Sequence, residues 1–426
     1  MQDMGEEVLE FVRRFVEARG DAPASDLDHV VRRPTGDDLQ SVLQYIGDAA
    51  ARAVDAAGPG YLAYIPGGGL YTAALADFVT AAVNRYTTVA ALAPAFVALE
   101  ETTIRWIADL FDYPAESGGI LTTGGSLANF SALVTAREAL GGGTIYVSDQ
   151  AHHSVIKAAA LAGFPKAGIR TIRSDDDLRM DVDALEQAIT DDPRPFLVVA
   201  SAGTTNTGAV DDLDAIAGVT QRHNLWLHVD AAYGGFFQLT ERGKRTLDGI
   251  QKADSITLDP HKGMFLPYGS GCLLVRDGDT LRAAHTSGAE YLQDLPDVGL
   301  PNFAESSPEL TRAFRGLRLW LPLQLHGMQA FTDALDEKLD LARHAYDRLQ
   351  TVDGIELPWE PELSVVAFHH PNGPRILDDV NASRRVFLSS TTIRDRHTLR
   401  IAILSHRTHR DRVDEAVDLI ATAARR

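Results

Sequence analysis

The sequence predicts an α/β protein, with a mostly parallel sheet covered by helices on both faces, a helical segment before it and a small α+β portion after it. Three observations carry that expectation. Short apolar runs recur between about residues 71 and 321, they alternate with stretches of helical periodicity, and small or polar residues gather just after several of them. Parallel strands read as unbroken apolar runs because helices bury both faces of their sheet. Such sheets bind ligands outside the carboxyl ends of the strands.

Taken in chain order, Val8, Phe11, Val12, Phe15 and Val16 fall on one helix face. A second helical stretch runs from about 38 to 57, where Gly58-Pro-Gly60 interrupts it. Two short helices cannot enclose a core, so residues 1–70 are expected to pack on the rest of the chain or on a second subunit. Residues 71–321 form the expected large domain. A strand there breaks near Thr122 into a helix whose apolar positions are Leu127, Phe130, Leu133 and Val134 and whose stop is Gly141. Further strands are expected at 144–148, 168–172, 196–201, 225–230, 255–258 and 271–275. A helix carrying Phe314, Leu317, Trp320 and Leu321 leads into residues 322–426, where helical stretches and strands near Val365 and Leu399 predict a small α+β domain.

The 426 residues exceed one typical domain, and 45% apolar composition suffices for a large core. A formal charge of −19 argues against nucleic acid or an anionic membrane as partner. The single cysteine, Cys272, excludes an intrachain disulfide and suits a reducing cytoplasm. The start, Met1-Gln-Asp-Met-Gly-Glu-Glu, is acidic without a signal-peptide apolar region, and no apolar run approaches membrane-spanning length. A soluble cytoplasmic protein is expected.

The residues that carry chemistry sit at strand ends. Ser255-Ile-Thr-Leu-Asp-Pro-His-Lys-Gly-Met264 runs an apolar strand straight into Asp259, Pro260, His261 and Lys262. A lysine in that position is poorly solvated, and its neutral amine can condense with an aldehyde cofactor such as pyridoxal phosphate. A lone Pro-His-Lys tripeptide would read as a solubilising strand flank, but its companions upstream reverse that reading. In Leu227-His-Val-Asp-Ala-Ala-Tyr-Gly-Gly235, Asp230 ends another apolar strand, 32 residues before Lys262. A carboxylate there can pair with a pyridine nitrogen and keep it protonated, and Ala232 is small enough for a ring to lie against it. Asp230 could also be a turn or cap residue.

Gly119-Ile-Leu-Thr-Thr-Gly-Gly-Ser-Leu-Ala128 places Gly125 and Ser126 amides at a helix N-terminus, a phosphate cradle without Walker or dinucleotide spacing. His152, after the strand at 144–148, can stack on the ring face opposite Ala232. His152 and His153 could instead form a metal pair or a helix start. No Glu follows at zinc-protease spacing and Cys272 offers no thiolate cluster, so no metal is expected. Thr204 and Thr205 put hydroxyls near the ring edge, in a Gly-Thr-Thr that is also ordinary turn sequence.

In this order and spacing the motifs resemble the group II pyridoxal-phosphate-dependent amino-acid decarboxylases, the family of aromatic L-amino-acid, histidine and glutamate decarboxylases. The resemblance runs from Tyr61-Leu-Ala-Tyr-Ile-Pro66 to Leu399-Arg-Ile-Ala-Ile-Leu-Ser-His-Arg-Thr408. It implies a fold-type I, transferase-like architecture, an extensive homodimer, pyridoxal 5'-phosphate as cofactor, and decarboxylation of an L-amino acid to an amine and carbon dioxide. It also implies roles: Lys262 bonds the cofactor aldehyde, Asp230 pairs with the pyridine nitrogen and His152 is the stacking base. Gly125 and Ser126 would hold phosphate, His261 would sit beside the lysine linkage and Thr205 near the ring.

Tyr64, Pro66, Tyr86 and Thr88 match positions lining the entrance or substrate pocket in relatives, and an aromatic lining suits an aromatic amino acid. Interface packing explains them equally well. Arg400 is the candidate carboxylate partner, or a structural arginine at a strand start. In relatives a mobile loop before Phe-Arg-x-Leu carries a tyrosine that protonates Cα. Aligning without gaps back from Phe314-Arg-Gly-Leu-Arg-Leu-Trp320 puts Phe303 at that position, a nearby register puts Ser306 there, and no tyrosine lies between Tyr291 and Phe314. Phenylalanine at that loop position is associated in the family with oxidative deamination to an aldehyde. Aldehyde synthesis and a carbon–carbon lyase on the same scaffold therefore stand as alternatives, with His152 as substitute proton donor for decarboxylation. A non-catalytic binding protein would be expected to have lost Lys262 or Asp230, and both are present.

Overall fold

A computed structural model describes residues 2–17, 36–286 and 296–426. Helices α1 (Gln2–Glu17) and α2 (Leu39–Ala51) come first. The Asp38 carboxylate accepts the Ser41 N–H at 3.0 Å, satisfying a first-turn donor and setting the start of α2. The helix stops at Ala51, short of the expected residue 57, and buries none of its residues.

After α3 (Tyr71–Val83) and α4 (Pro94–Asp109), strands and helices alternate. They are β1 (Gly118–Thr122), α5 (Gly125–Leu140), β2 (Thr144–Ser148), α6 (His153–Leu161), β3 (Ile169–Ile172), α7 (Val182–Thr190), β4 (Pro195–Ser201) and α8 (Leu213–His223). Then follow β5 (Trp226–Asp230), α9 (Glu241–Thr246), β6 (Ser255–Leu258), α10 (Pro260–Gly263), β7 (Gly271–Val275) and α11 (Gly278–His285). The seven strands form one sheet in the order β1-β7-β6-β5-β4-β2-β3. β3, β2, β4, β5 and β6 pair in parallel, whereas β7 runs antiparallel to both its neighbours. Apolar runs report burial on two faces but carry no direction, so the reversal of β7 is not visible in them.

The register decides where the site can form. Ser201 of β4 lies opposite Asp230 of β5, which lies opposite Thr257 of β6. Three parallel strands therefore end level, and the loops after them open on one edge. β1 shares their direction, because it is antiparallel to β7 and β7 is antiparallel to β6. The β1–α5 turn joins the same edge.

The helical run α12 (Gly316–Leu349) is broken at Gly327, whose φ of +73° and ψ of 160° are not helical. Phe314, expected inside this helix, lies just before its start. Phe331, Leu335 and Leu339 of α12 join the core of the large sheet, while Leu341, Ala345 and Leu349 join a second core. That second core is built on β8 (Val365–Phe368), α13 (Gly373–Ala382), β9 (Ser389–Ile393), β10 (Arg396–Ala402) and α14 (Arg410–Ala424). Its three strands are antiparallel in the order β8-β10-β9. Leu62 belongs to this core too, and its carbonyl accepts the Ala402 N–H at 2.8 Å. The stretch after α2 is thus tied to the C-terminal portion. Among the described residues no helix is long and apolar enough to cross a membrane.

Candidate active site

The turn between β1 and α5 is shaped by Gly124, whose φ of +151° and ψ of 171° are open in practice only to glycine. No side chain caps α5. The Gly125 and Ser126 amides therefore remain available to an anion, and the helix dipole favours negative charge there. A Cβ added to Gly125 would lie 3.2 Å from an Asp259 carboxylate oxygen and 3.3 Å from the Ala232 Cβ. The cradle has room for an approaching ligand only because that side chain is absent.

Gly125, Ser126, His152, Thr205, Asp230, Ala232, His261 and Lys262 line one cavity of about 290 Å³. These residues come from five different strand-to-helix connections, and the level ends of β4, β5 and β6 bring them together. Lys262, in the single turn α10, has its Nζ 3.0 Å from Oδ2 of Asp259. His261 Nδ1 donates to the Ser270 carbonyl at 2.6 Å, which fixes its ring beside Lys262. Burial holds the His261 imidazole below the ordinary histidine range.

His152 is both a cavity wall and the N-cap of α6: its Nδ1 accepts the Ser154 N–H at 3.3 Å and lies 2.7 Å from Ser154 Oγ. The same residue thus starts a helix and lines the cavity. Burial lowers its pKa, against the opposing pull of Asp230. The ring is then neutral at pH 7, with Nδ1 accepting and the proton on Nε2.

Several groups of this site carried no sequence signal strong enough to single them out. Asn129, on α5, is buried and donates from Nδ2 to Asp230 Oδ2 at 3.0 Å and to Ser154 Oγ at 3.1 Å. A polar residue one turn inside an otherwise apolar helix face was the available clue. The Ala232 N–H donates to the other Asp230 oxygen at 3.2 Å, so both carboxylate oxygens accept. Asp259 was only the residue before Pro260 in the sequence. In the fold it is 3% exposed, with Oδ2 on Lys262 and Oδ1 without a hydrogen-bond partner among the described residues.

Tyr64, Tyr86, Phe303 and Arg400 are not among the residues that line this cavity. Arg400, on β10, is buried and donates from Nε to the Asn206 carbonyl at 2.8 Å, from Nη1 to Ser389 Oγ at 3.0 Å and from Nη2 to the Thr205 carbonyl. Its guanidinium clamps the backbone behind the cavity wall, and burial pulls its pKa down to about 10. Tyr64 is 61% exposed, and its φ of +57° precedes a φ of +82° at Ile65, a strained conformation for a β-branched residue. The Tyr64 N–H donates to the same Ser389 Oγ at 3.4 Å. Tyr86 is half-exposed and donates from its hydroxyl to the Leu310 carbonyl at 3.1 Å.

Phe303 is buried in this structure. The ungapped alignment puts it on a loop facing substrate, but the ring is 1% exposed and packs under the Arg312 guanidinium, 4.6 Å from its centroid. Arg312 is itself locked in a fully buried pair with Glu100. Freeing the ring would disturb that pair, and breaking a buried pair costs about 3–5 kcal/mol. Phe303 is a packing residue here. The loop expected over residues 293–308 begins outside the described residues, which exclude 293–295.

The set of groups around the cavity matches one kind of ligand: an amine for an aldehyde, a carboxylate for a ring nitrogen, a small residue and an imidazole for a flat ring, and helix amides for a phosphate. The family described as "Pyridoxal-dependent decarboxylase conserved domain" matches residues 27–370. An aromatic-L-amino-acid decarboxylase of Bacillus atrophaeus is 34% identical over 373 residues, 82% of this chain and 78% of that protein. An L-2,4-diaminobutyrate decarboxylase of Rhizobium meliloti is 31% identical over 422 residues, 94% of this chain and 84% of that protein. A crystal structure of Oryza sativa TDC with PLP and tryptamine superimposes with a TM-score of 0.92 at 23% identity, covering 100% of this chain and 97% of that one. Fold and site define an enzyme dependent on pyridoxal 5'-phosphate, with the fold-type I architecture. The chain belongs to the pyridoxal-dependent decarboxylase family. It is a carboxy-lyase that acts on an amino acid.

Proposed function

We propose that the enzyme decarboxylates an aromatic L-amino acid as a cytoplasmic homodimer, with Lys262, Asp230 and His152 as its catalytic residues. The observation that carries this reading is the convergence of Lys262, Asp230, His152 and the α5 amides on one cavity at the level strand ends. Lys262 would bond the cofactor aldehyde, Asp230 would face its ring nitrogen, and Gly125 and Ser126 would hold its phosphate. Bound there, pyridoxal phosphate supplies an electron sink for the pair released when the Cα–carboxylate bond breaks.

Asp259 Oδ2, 3.0 Å from the Lys262 amine, is placed to take the proton that this amine must lose before it can bond a carbonyl. Neutral His152 carries a proton on Nε2 in the cavity wall and can deliver it to Cα. Arg400 and Ser389 connect Tyr64 to the Thr205 carbonyl, which supports Tyr64 as a lining of the substrate entrance. An aromatic ring at that entrance suits an aromatic substrate side chain.

The direct test incubates the purified protein with a panel of amino acids under air and measures amine, aldehyde, carbon dioxide and peroxide together. Amine and carbon dioxide in equal amounts, without peroxide, are expected for an aromatic substrate. Aldehyde with peroxide would overturn the amine product. Because the Phe303 ring is buried and does not line the cavity, Phe303→Tyr should leave the product unchanged.

Support for the dimer comes from uncovered apolar faces. α2 buries none of its residues, Val42 and Ile46 are 38% and 46% exposed, and Phe78 and Val79 of α3 are 56% and 44% exposed. A second copy of the chain would cover them. Sedimentation should give a dimer, and Ile46→Glu together with Phe78→Glu should weaken it and lower activity in parallel. A fully active monomer would rule this out. The single cysteine, Cys272, excludes an intrachain disulfide, which suits a reducing compartment.

A further inference from the structure

Behind Asp230 lies a run of buried polar groups that takes no direct part in the chemistry. Trp226 and His228 precede Asp230 on β5, Ser255 begins the neighbouring β6, and Asn129 crosses from α5. Trp226 Nε1 lies 2.9 Å from Ser255 Oγ, which lies 2.8 Å from His228 Nδ1. His228 Nε2 lies 3.0 Å from Asn129 Oδ1, and Asn129 Nδ2 lies 3.0 Å from Asp230 Oδ2. Thr257 Oγ1, 3.4 Å from His228 Nε2, adds a longer contact. His228 and Ser255 are both 0% exposed, and Asn129 is 1% exposed.

The chemistry of the two ends fixes the direction of every bond between them. An ionised carboxylate only accepts, so Asn129 must turn Nδ2 toward Asp230 and Oδ1 toward His228. That oxygen also only accepts, so His228 carries its proton on Nε2 and leaves Nδ1 as an acceptor. Ser255 must then donate to Nδ1, and its oxygen accepts from the indole N–H of Trp226, which can only donate. Donor-only and acceptor-only ends agree on a single arrangement. Burial supports the neutral ring this needs, pushing the His228 pKa down to about 4 against the pull of Asp230. The second Asn129 hydrogen goes to Ser154 Oγ, leaving the Ser154 hydroxyl to donate to His152 Nδ1. One amide therefore orients both Asp230 and His152.

We infer that His228 is a positioning residue: through Asn129 it holds Asp230 turned as a pure acceptor toward the cofactor's ring nitrogen, and holds His152 in its Nε2-protonated form. The inference rests on the assignment of Asp230 to that nitrogen. Without the His228 donor, Asn129 can rotate and offer its oxygen to Asp230. The carboxyl group is then free to keep a proton that the ring nitrogen should hold.

The test loads the purified protein with pyridoxal phosphate labelled with ¹⁵N at the ring nitrogen and reads that signal alongside kcat and KM. Wild type should give a protonated nitrogen. In His228→Phe the signal should move toward the unprotonated value, and kcat should fall about tenfold or more, as for other outer-shell partners, with KM little changed. His228→Gln, which keeps a donor for Asn129 and an acceptor for Ser255, should restore most of both. Should His228→Phe not fold, Ser255→Ala decides: it frees the imidazole to change tautomer and should move the signal the same way by a smaller amount. An unprotonated nitrogen in wild type would defeat the Asp230 assignment. A protonated wild-type nitrogen left unmoved by His228→Phe, or by Ser255→Ala where the first variant does not fold, would defeat the relay even if stability dropped.

Discussion

Borohydride reduction of the purified enzyme is expected to fix the cofactor on Lys262 and on no other lysine. Among the described residues Lys262 is the one lysine that lines the cavity. Its amine rests 3.0 Å from Asp259, a carboxylate only 4% exposed that can take its proton, and the α5 amides that would anchor a phosphate face the same space. Lys262→Ala should abolish turnover, since an amine that bonds a carbonyl has no substitute in this cavity. The fold should survive, because the side chain is 22% exposed and its ion pair with Asp259 is local. Peptide mapping decides the matter: label on a different lysine, or on none, would refute the assignment.

Asp230→Asn is expected to lower turnover by about 10² or more, by analogy with other lost electrostatic partners in water-excluded sites. The substitution keeps size and removes the negative charge opposite the ring nitrogen. It also leaves one acceptor oxygen where the carboxylate has two, so either Asn129 Nδ2 or the Ala232 N–H loses its partner. Cofactor binding should weaken less than turnover, because the phosphate cradle and Lys262 are untouched. Near-normal kcat in this variant would reduce Asp230 to a strand-end residue whose oxygens merely accept the Ala232 and Asn129 N–H groups.

Much of this site was legible because its parts are local in sequence. A strand end followed by a small or polar residue is a pattern of adjacent positions, and β2 and β6 occupy the residues predicted for them. Gly125, His152, Asp230 and Lys262 could each be found that way. Asn129 could not, since its partner Asp230 lies 101 residues away in sequence and that spacing signals no contact. The burial of Phe303 was not legible either, because it too depends on distant residues. An ungapped alignment counts residues along the chain and takes no account of Arg312 and Glu100 closing over the ring.

The sequence by itself determined the α/β class, the alternation of strands and helices, and the chemical identity of the groups at the strand ends, because each depends on neighbours along the chain. The tertiary structure alone decided the reversal of β7, the level register of Ser201, Asp230 and Thr257, and the run of hydrogen bonds from Trp226 to Asp230. Strand direction is a choice between arrangements that bury the same apolar residues. The orientation of a buried donor depends on which acceptor the fold sets beside it, and that partner comes from a distant part of the chain.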